Sequence, residues 1–173
     1  RFVENRLTPR DFPAQAAATA VLPSLSRQAA SGDHAGMGDT FGHAMSLVLF
    51  ITIPAMVGLI ILREPIVALL FKRGAFDAQT TRLTADALLY YALGLWAFSA
   101  VRIVVAAFYA MQDTRTPVKT ATIAIAVNIL LGVLLMGPMR HAGLALATAL
   151  ASMVNLLLMV RVLRKRLGQI HWR

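Results

Sequence analysis

The sequence predicts an all-α membrane protein with four transmembrane helices. Three observations predict it. Four apolar runs, residues 44–62, 85–110, 118–136 and 142–160, are 19, 26, 19 and 19 residues long. A helix needs roughly 20 mostly apolar residues to cross the hydrocarbon core. Composition agrees, with 58% hydrophobic and only 14% charged residues, against roughly 25% charged in soluble domains. The net charge of +9 is concentrated at the ends of the runs, with Arg161, Arg164, Lys165 and Arg166 directly after the last one. Membrane proteins mark their cytoplasmic side in this way, so the charge points to a membrane surface and not to nucleic acid. Cysteine is absent, which excludes a disulfide framework, a thiolate metal site and a Cys nucleophile within the chain.

The chain opens on Arg1-Phe2-Val3 without Met and stops at Arg173 soon after a helix end. It reads as a fragment of a longer multi-pass protein. Counting Lys and Arg in alternate loops orients it. With the tail inside, eleven basic residues fall on the cytoplasmic side and five on the other, and Arg102 is intramembrane. The expected organisation follows. Residues 1–43 are cytoplasmic and include the end of a preceding helix. Residues 44–62 span, 63–84 form a periplasmic interfacial segment, and 85–110 span back. A cytoplasmic turn at 111–117 leads to the span 118–136. A periplasmic turn at 137–141 leads to the span 142–160, and 161–173 is a basic cytoplasmic tail.

Each element has its own signals. Ser31-Gly32-Asp33 is a turn whose Asp33 can cap the helix that becomes the first span. Pro54 sits inside that span, where it removes one backbone bond and predicts a kink, a candidate hinge. Arg63-Glu64-Pro65 reads as the end of the span, and residues 66–71 as a short interfacial or re-entrant piece closed by Lys72-Arg73-Gly74. Asp77 caps the next helix. In the second span Asp86, Tyr90, Gly94, Phe98, Arg102, Ala106 and Ala110 recur every four residues and share a slowly drifting face. Arg102 lies eight residues, about 12 Å, before Ala110. A charge near the bilayer centre costs about 2.5–3.5 kcal/mol on insertion scales, so it either faces a polar interior or snorkels to the headgroups. Thr116-Pro117 reads as an N-cap followed by proline at the first helical position. Ala124, Asn128 and Gly132 in the third span, and Gly143, Ala147, Ala151 and Asn155 in the fourth, are four-residue ladders of small or amide residues. Such ladders let helix backbones approach closely, so these residues are expected to pack the last two spans as antiparallel neighbours.

No catalytic constellation is present: there is no Ser-His-Asp arrangement, no HExxH and no glycine-rich phosphate loop. No metal, cofactor or enzymatic activity is expected.

Four stretches resemble the MurJ/MviN family of lipid II flippases, in the MOP transporter superfamily: TAVLPSLSR at 19–27, EPIVALLFKRGAFD at 64–77, AFYAMQDTRTPVK at 107–119 and GPMRHAGLAL at 137–146. They come in family order and spacing. The resemblance implies a larger protein of about fourteen helices in two lobes, of which this chain covers the end of the eighth helix and helices nine to twelve. It implies translocation of the undecaprenyl-pyrophosphate-linked peptidoglycan precursor, lipid II, from the inner to the outer leaflet by alternating access, in the bacterial cytoplasmic (inner) membrane. The implied partners are lipid II, the remaining helices of the full-length chain and the cell-wall synthesis machinery. The family's central cavity is built largely from helices outside this stretch. Asn5-Arg6-Leu7 resembles the start of the eighth helix, and the resemblance makes Arg6 a candidate substrate contact, but residues 8–14 (TPRDFPA) depart from the family's apolar pattern. Arg102 falls where the family often carries a basic residue, which makes it the second candidate substrate contact. Another MOP-type carrier, such as an O-antigen flippase or drug exporter, and a membrane enzyme or scaffold of cell-wall synthesis are the alternatives.

Overall fold

The computed structural model describes residues 13–71 and 78–167. Four helices follow one another: α1 (Pro13–Ala30), α2 (His34–Phe71), α3 (Ala78–Ala110) and α4 (Arg115–Leu167). Arg6, the Asp77 cap, the Lys72-Arg73-Gly74 stretch and the end of the tail lie outside the described residues.

The fold is all-helical, with four stretches long and apolar enough to span: Ala35–Leu70, Gln79–Ala110, Arg115–Gly137 and Ala142–Arg166. Two of these belong to α4, which is helical throughout but doubles back on itself. Asn128 Nδ2 donates to Thr148 Oγ1 at 3.4 Å, whereas twenty residues of straight helix would separate them by about 30 Å. The reversal falls around residues 137–142. Gly143 lets the two limbs close: a Cβ there would overlap the carbonyl of Leu135. Gly132 faces the Leu144 side chain across the same seam.

The two connections at the other end are built alike. At Ser31–Asp33, the amide of Asp33 donates to Gln28 O and that of Gly32 to Ala29 O. Gly32 has φ +71°, the left-handed conformation that ends helices in this motif. The Asp33 carboxylate then accepts the amide of Gly36 at 2.9 Å and caps α2. At the end of α3, Asp113 and Gln112 donate to Phe108 O and Tyr109 O in the same pattern, with Gln112 at φ 57° in glycine's usual place. Asp113 then caps α4, accepting the amides of Arg115 and Thr116 at 3.1 and 3.0 Å. Thr116 is therefore not the cap. Its hydroxyl donates to Asp113 Oδ2 at 2.6 Å, because a carboxylate three residues upstream is the stronger acceptor. Arg166, from the end of α4, reaches the same oxygen at 2.8 Å.

A second difference concerns Arg63-Glu64-Pro65. These residues do not end the helix: α2 runs through both Pro54 and Pro65 to Phe71. Proline removes one helical bond and pushes against the carbonyls of the preceding turn. In the preceding turn Arg63 Nη1 donates to Ile60 O at 3.0 Å, next to Ile61, whose carbonyl loses its helical donor to Pro65. Residues 66–70 extend the helix, with Val67 buried.

The apolar core gathers at the end that carries the two aspartate caps. Leu25 of α1, Met37, Phe41 and Val48 of α2, Ile103, Val104 and Phe108 of α3, and Met159 and Leu163 of α4 are all buried there. Gln28 Nε2 donates to Thr40 Oγ1 at 2.9 Å and ties α1 to α2 beside it. Beyond Val48, α2 exposes Phe50 (78%) and Ile61 (70%). The first limb of α4 exposes Ile125, Ile129 and Val133. Such faces suit lipid or further helices. α3 is the most enclosed span, with 56% of its apolar window buried.

Two predictions follow from this packing. Gly143→Leu and Ala147→Leu force side chains into closed seams, where overpacking costs about 1–3 kcal/mol. Both should reduce the folded protein recovered from membranes by size-exclusion chromatography, whereas Ile129→Leu on the exposed face should not; equal recovery of all three would contradict the hairpin seam. At Asp113, the Thr116 hydroxyl, followed by the Thr116 amide and the nearby Arg166, holds the carboxyl below its ordinary range. Its stabilisation is therefore complete above the unfolded carboxylate value of about 3.9 and is lost as pH falls through the lower folded value. Asp113→Ala should cost about 1 kcal/mol at neutral pH. Arg166→Ala should cost less, since Arg166 is 53% exposed and exposed ion pairs contribute about 0–1 kcal/mol. Thermal unfolding of the two variants at pH 7 and pH 3 tests the order, and the Asp113→Ala difference should shrink at the lower pH.

Candidate functional site

α3 carries the polar residues that a membrane helix must account for. Three contacts fix its register against the second limb of α4. At one end, Leu83, Asp86 and Tyr90 line an open cleft of about 250 Å³ with Met139 and Ala142. In the middle, a Cβ on Gly94 would lie 2.9 Å from Ala149 Cβ and 3.0 Å from Ala149 Cα. At the other end stand Asp113 and Arg166. The residue numbers rise together, so α3 and this limb run parallel. Alanines flank the contact, with Ala97 three residues after Gly94 and Ala145 four before Ala149, both buried. In hydrocarbon, where apolar burial drives association weakly, small residues that allow close approach are what hold helices together.

The four-residue row of α3 winds around the helix, since each step of four advances about 40°. Asp86 is exposed and Tyr90 half-buried at the cleft. Gly94 is buried against Ala149, and the Phe98 ring lies over it. By Arg102 the row has turned outward: its side chain is exposed on this four-span unit. Ala106 and Ala110 are buried again. Arg102 thus does not share the Gly94 face.

The hairpin residues sit as follows. Asn128 joins Thr148, whose own hydroxyl donates to Leu144 O at 2.9 Å. Ala124, Ala147 and Ala151 are buried, and Gly132 and Gly143 line the seam between the limbs. Asn155 is half-buried, and its Oδ1 is enclosed without a hydrogen-bond donor. Pro54 is exposed on α2. Nothing brings Pro54, Arg102 and the amide pair into one cluster. Among the described residues, no three His, Asp or Glu side chains converge as a metal site requires.

Three features escaped the sequence reading. Asp113 as the shared acceptor was hidden behind the more familiar Thr-Pro signal. The Gly94–Ala149 contact pairs helices that are not consecutive spans. Tyr91 and Tyr109 are exposed at 47% and 50% on the same side of α3 as Arg102. Their spacings of eleven and seven residues carry that signal, which a four-residue ladder overlooks.

The comparisons with known proteins agree with one another. The family model described as "Lipid II flippase MurJ" matches residues 14–173. A probable lipid II flippase MurJ from Vibrio cholerae is 35% identical over 146 residues, covering 84% of this chain and 28% of that protein. One from Rhizobium meliloti is 37% identical over 148 residues, covering 86% and 28%. A solved structure of lipid II flippase MurJ in an inward closed conformation superposes with TM-score 0.78 at 30% identity, over 87% of this chain and 32% of that one. The chain therefore spans a little over a quarter of the length of these relatives. With four spans in the same arrangement and a family match along nearly its whole length, this multi-pass membrane chain belongs to the lipid II flippase MurJ family.

Proposed function

We propose that the chain forms part of a lipid II flippase of the bacterial inner membrane, moving the diphosphate-linked peptidoglycan precursor to the outer leaflet by alternating access and without covalent chemistry. The observation that carries the reading is Arg102. A permanent cation well inside a span has its side chain exposed on this four-span unit. Paired with the family match, this fits a face turned to a polar interior through which an anionic headgroup passes. Arg6 is a second candidate contact by resemblance.

In this reading both ends of the chain are cytoplasmic. The aspartate-capped turns lie inside and the turn of the α4 hairpin lies in the periplasm, in keeping with the eleven-to-five excess of basic residues. The cap end, with its dense core, acts as the rigid part of the lobe. Pro54, where α2 leaves that core, is the hinge. The packed ladders of α4 carry no substrate role. The other helices of the transporter cover the remaining surface, and the cell-wall synthesis machinery supplies and consumes the substrate.

Thiol labelling tests the orientation, because this chain has no cysteine of its own. Gly137 has open space where a Cβ would stand, and Thr114 is exposed in the turn before α4. In a cysteine-free background, Gly137→Cys should react with an impermeant reagent added outside intact cells and Thr114→Cys only after the membrane is opened. The reverse pattern would overturn the topology. For Arg102, Lys keeps the charge but not the planar fork. Arg102→Lys should retain part of the ability to rescue a depleted strain, and Arg102→Ala should lose about tenfold or more, since a hydrogen bond to a charged group contributes about 1.5–3 kcal/mol. Lipid II accumulation at equal expression is the measure, and full rescue by Ala would mean that Arg102 merely snorkels.

A further inference from the structure

One face of α3 is covered along only part of its length. Ala97, Ala100, Val104 and Ala107 follow one another at steps of three and four, so they share a face, and all four are buried. They belong to the same cluster as Leu25 of α1, and α1 packs against α3 and α2. Toward the hairpin turn the same face continues through Leu93 and Asp86, four and eleven residues before Ala97. There it is open: Leu93 is 36% exposed and Asp86 is exposed. The change falls where α1 runs out. α1 has 18 residues and is about 27 Å long. Leu93 lies seventeen residues, about 26 Å, before the end of α3 at Ala110, and the two helices end alike, in the turns capped by Asp33 and Asp113. Asp86 stands about 10 Å beyond Leu93, at the cleft it lines with Tyr90 and Met139.

The chain enters α1 at Pro13, level with Leu93, so residues 1–12 are the part of this chain nearest the open stretch. They carry Arg1, Arg6 and Arg10 against Glu4 and Asp11, an excess of positive charge that suits the Asp86 carboxylate. Proline at positions 9 and 13 disfavours a helical course for the residues before it. Non-helical backbone at membrane depth is tolerated where protein or water lines it, which a cleft between helices provides. An extended chain advances about 3.3 Å per residue, so it covers the distance from Pro13 to the level of Asp86 in three residues and arrives there with Arg10. We infer that residues 1–12 run across the mouth of this cleft and that Arg10 pairs with Asp86. Opposite charges brought together where water is partly excluded attract more strongly than in bulk water. Residues 1–12 then lie at the hairpin end of the unit, and not beside the tail, where the count of basic residues places them. The docking holds the lobe together and is independent of what the transporter carries.

Cross-linking of the full-length, membrane-embedded protein in a cysteine-free background tests it. Thr8→Cys stands two residues beyond Arg10 and Leu83→Cys three beyond Asp86, so this pair leaves both charges in place. A short bifunctional thiol reagent should join Thr8→Cys to Leu83→Cys and should not join Thr8→Cys to Thr114→Cys at the capped end. Adding Asp86→Arg should lower the first linkage at least about fivefold, since attraction gives way to like-charge repulsion. Arg10→Asp in the same chain should restore most of it, and elution as a single species confirms folding at each step. Linkage to Thr114→Cys instead would put the start of the chain at the capped end and overturn the docking. Linkage to neither position would leave the cleft to another part of the transporter, which also overturns it. Linkage that Asp86→Arg does not lower, or that Arg10→Asp does not restore, would contradict the ion pair.

Discussion

Close approach of α3 to the second limb of α4 at Gly94 and Ala149 is the contact on which the rest of this structure depends. Lipid tails are as apolar as leucine, so apolar helices gain little by hiding from them and are held by dense packing where backbones can meet. Gly94 leaves no room for even a methyl group, and alanines continue the seam on both helices. This contact places Asp113 beside Arg166 at one end and Asp86 beside the hairpin turn at the other. It also fixes which side of α3 is covered and which is left open.

The two ends of the unit are built differently. At the capped end, four helical segments converge on one cluster, and the carboxylates of Asp33 and Asp113 close the turns between them. At the other end, α2 continues past two prolines with most of its surface uncovered. The change in packing falls along α2, with Pro54 a short distance beyond the last buried α2 residue of the core cluster, Val48.

Much of this was legible in the sequence, for physical reasons that can be named. Span number and order came from hydropathy alone, because the bilayer fixes the length of an apolar helix. The Asp33 cap was legible because glycine and aspartate in that order have one common use. The Asp113 cap was obscured because Thr116-Pro117 carries an equally familiar signal, and only three-dimensional competition between acceptors decides it. The end proposed at Arg63-Glu64-Pro65 failed because one proline removes a single helical bond, and α2 continues through Pro54 and Pro65 alike. The face of Arg102 was misread because a four-residue ladder drifts, so Gly94 and Arg102 point about 80° apart. The hairpin inside α4 was visible from Gly137–Pro138 and the small residues that follow, since close limbs need them.

Cross-linking across the central seam tests the account most directly. Tyr90→Cys paired with Ala142→Cys, in the membrane-embedded protein without other cysteines, places two thiols on the open cleft between α3 and the second limb, where a short bifunctional thiol reagent can bridge them. The account predicts near-complete cross-linking, with Tyr90→Cys and Ala124→Cys remaining unlinked because Ala124 lies on the other limb. Efficient linkage of the second pair, or none of the first at normal expression, would contradict the register from which the covered and open faces of α3 are derived.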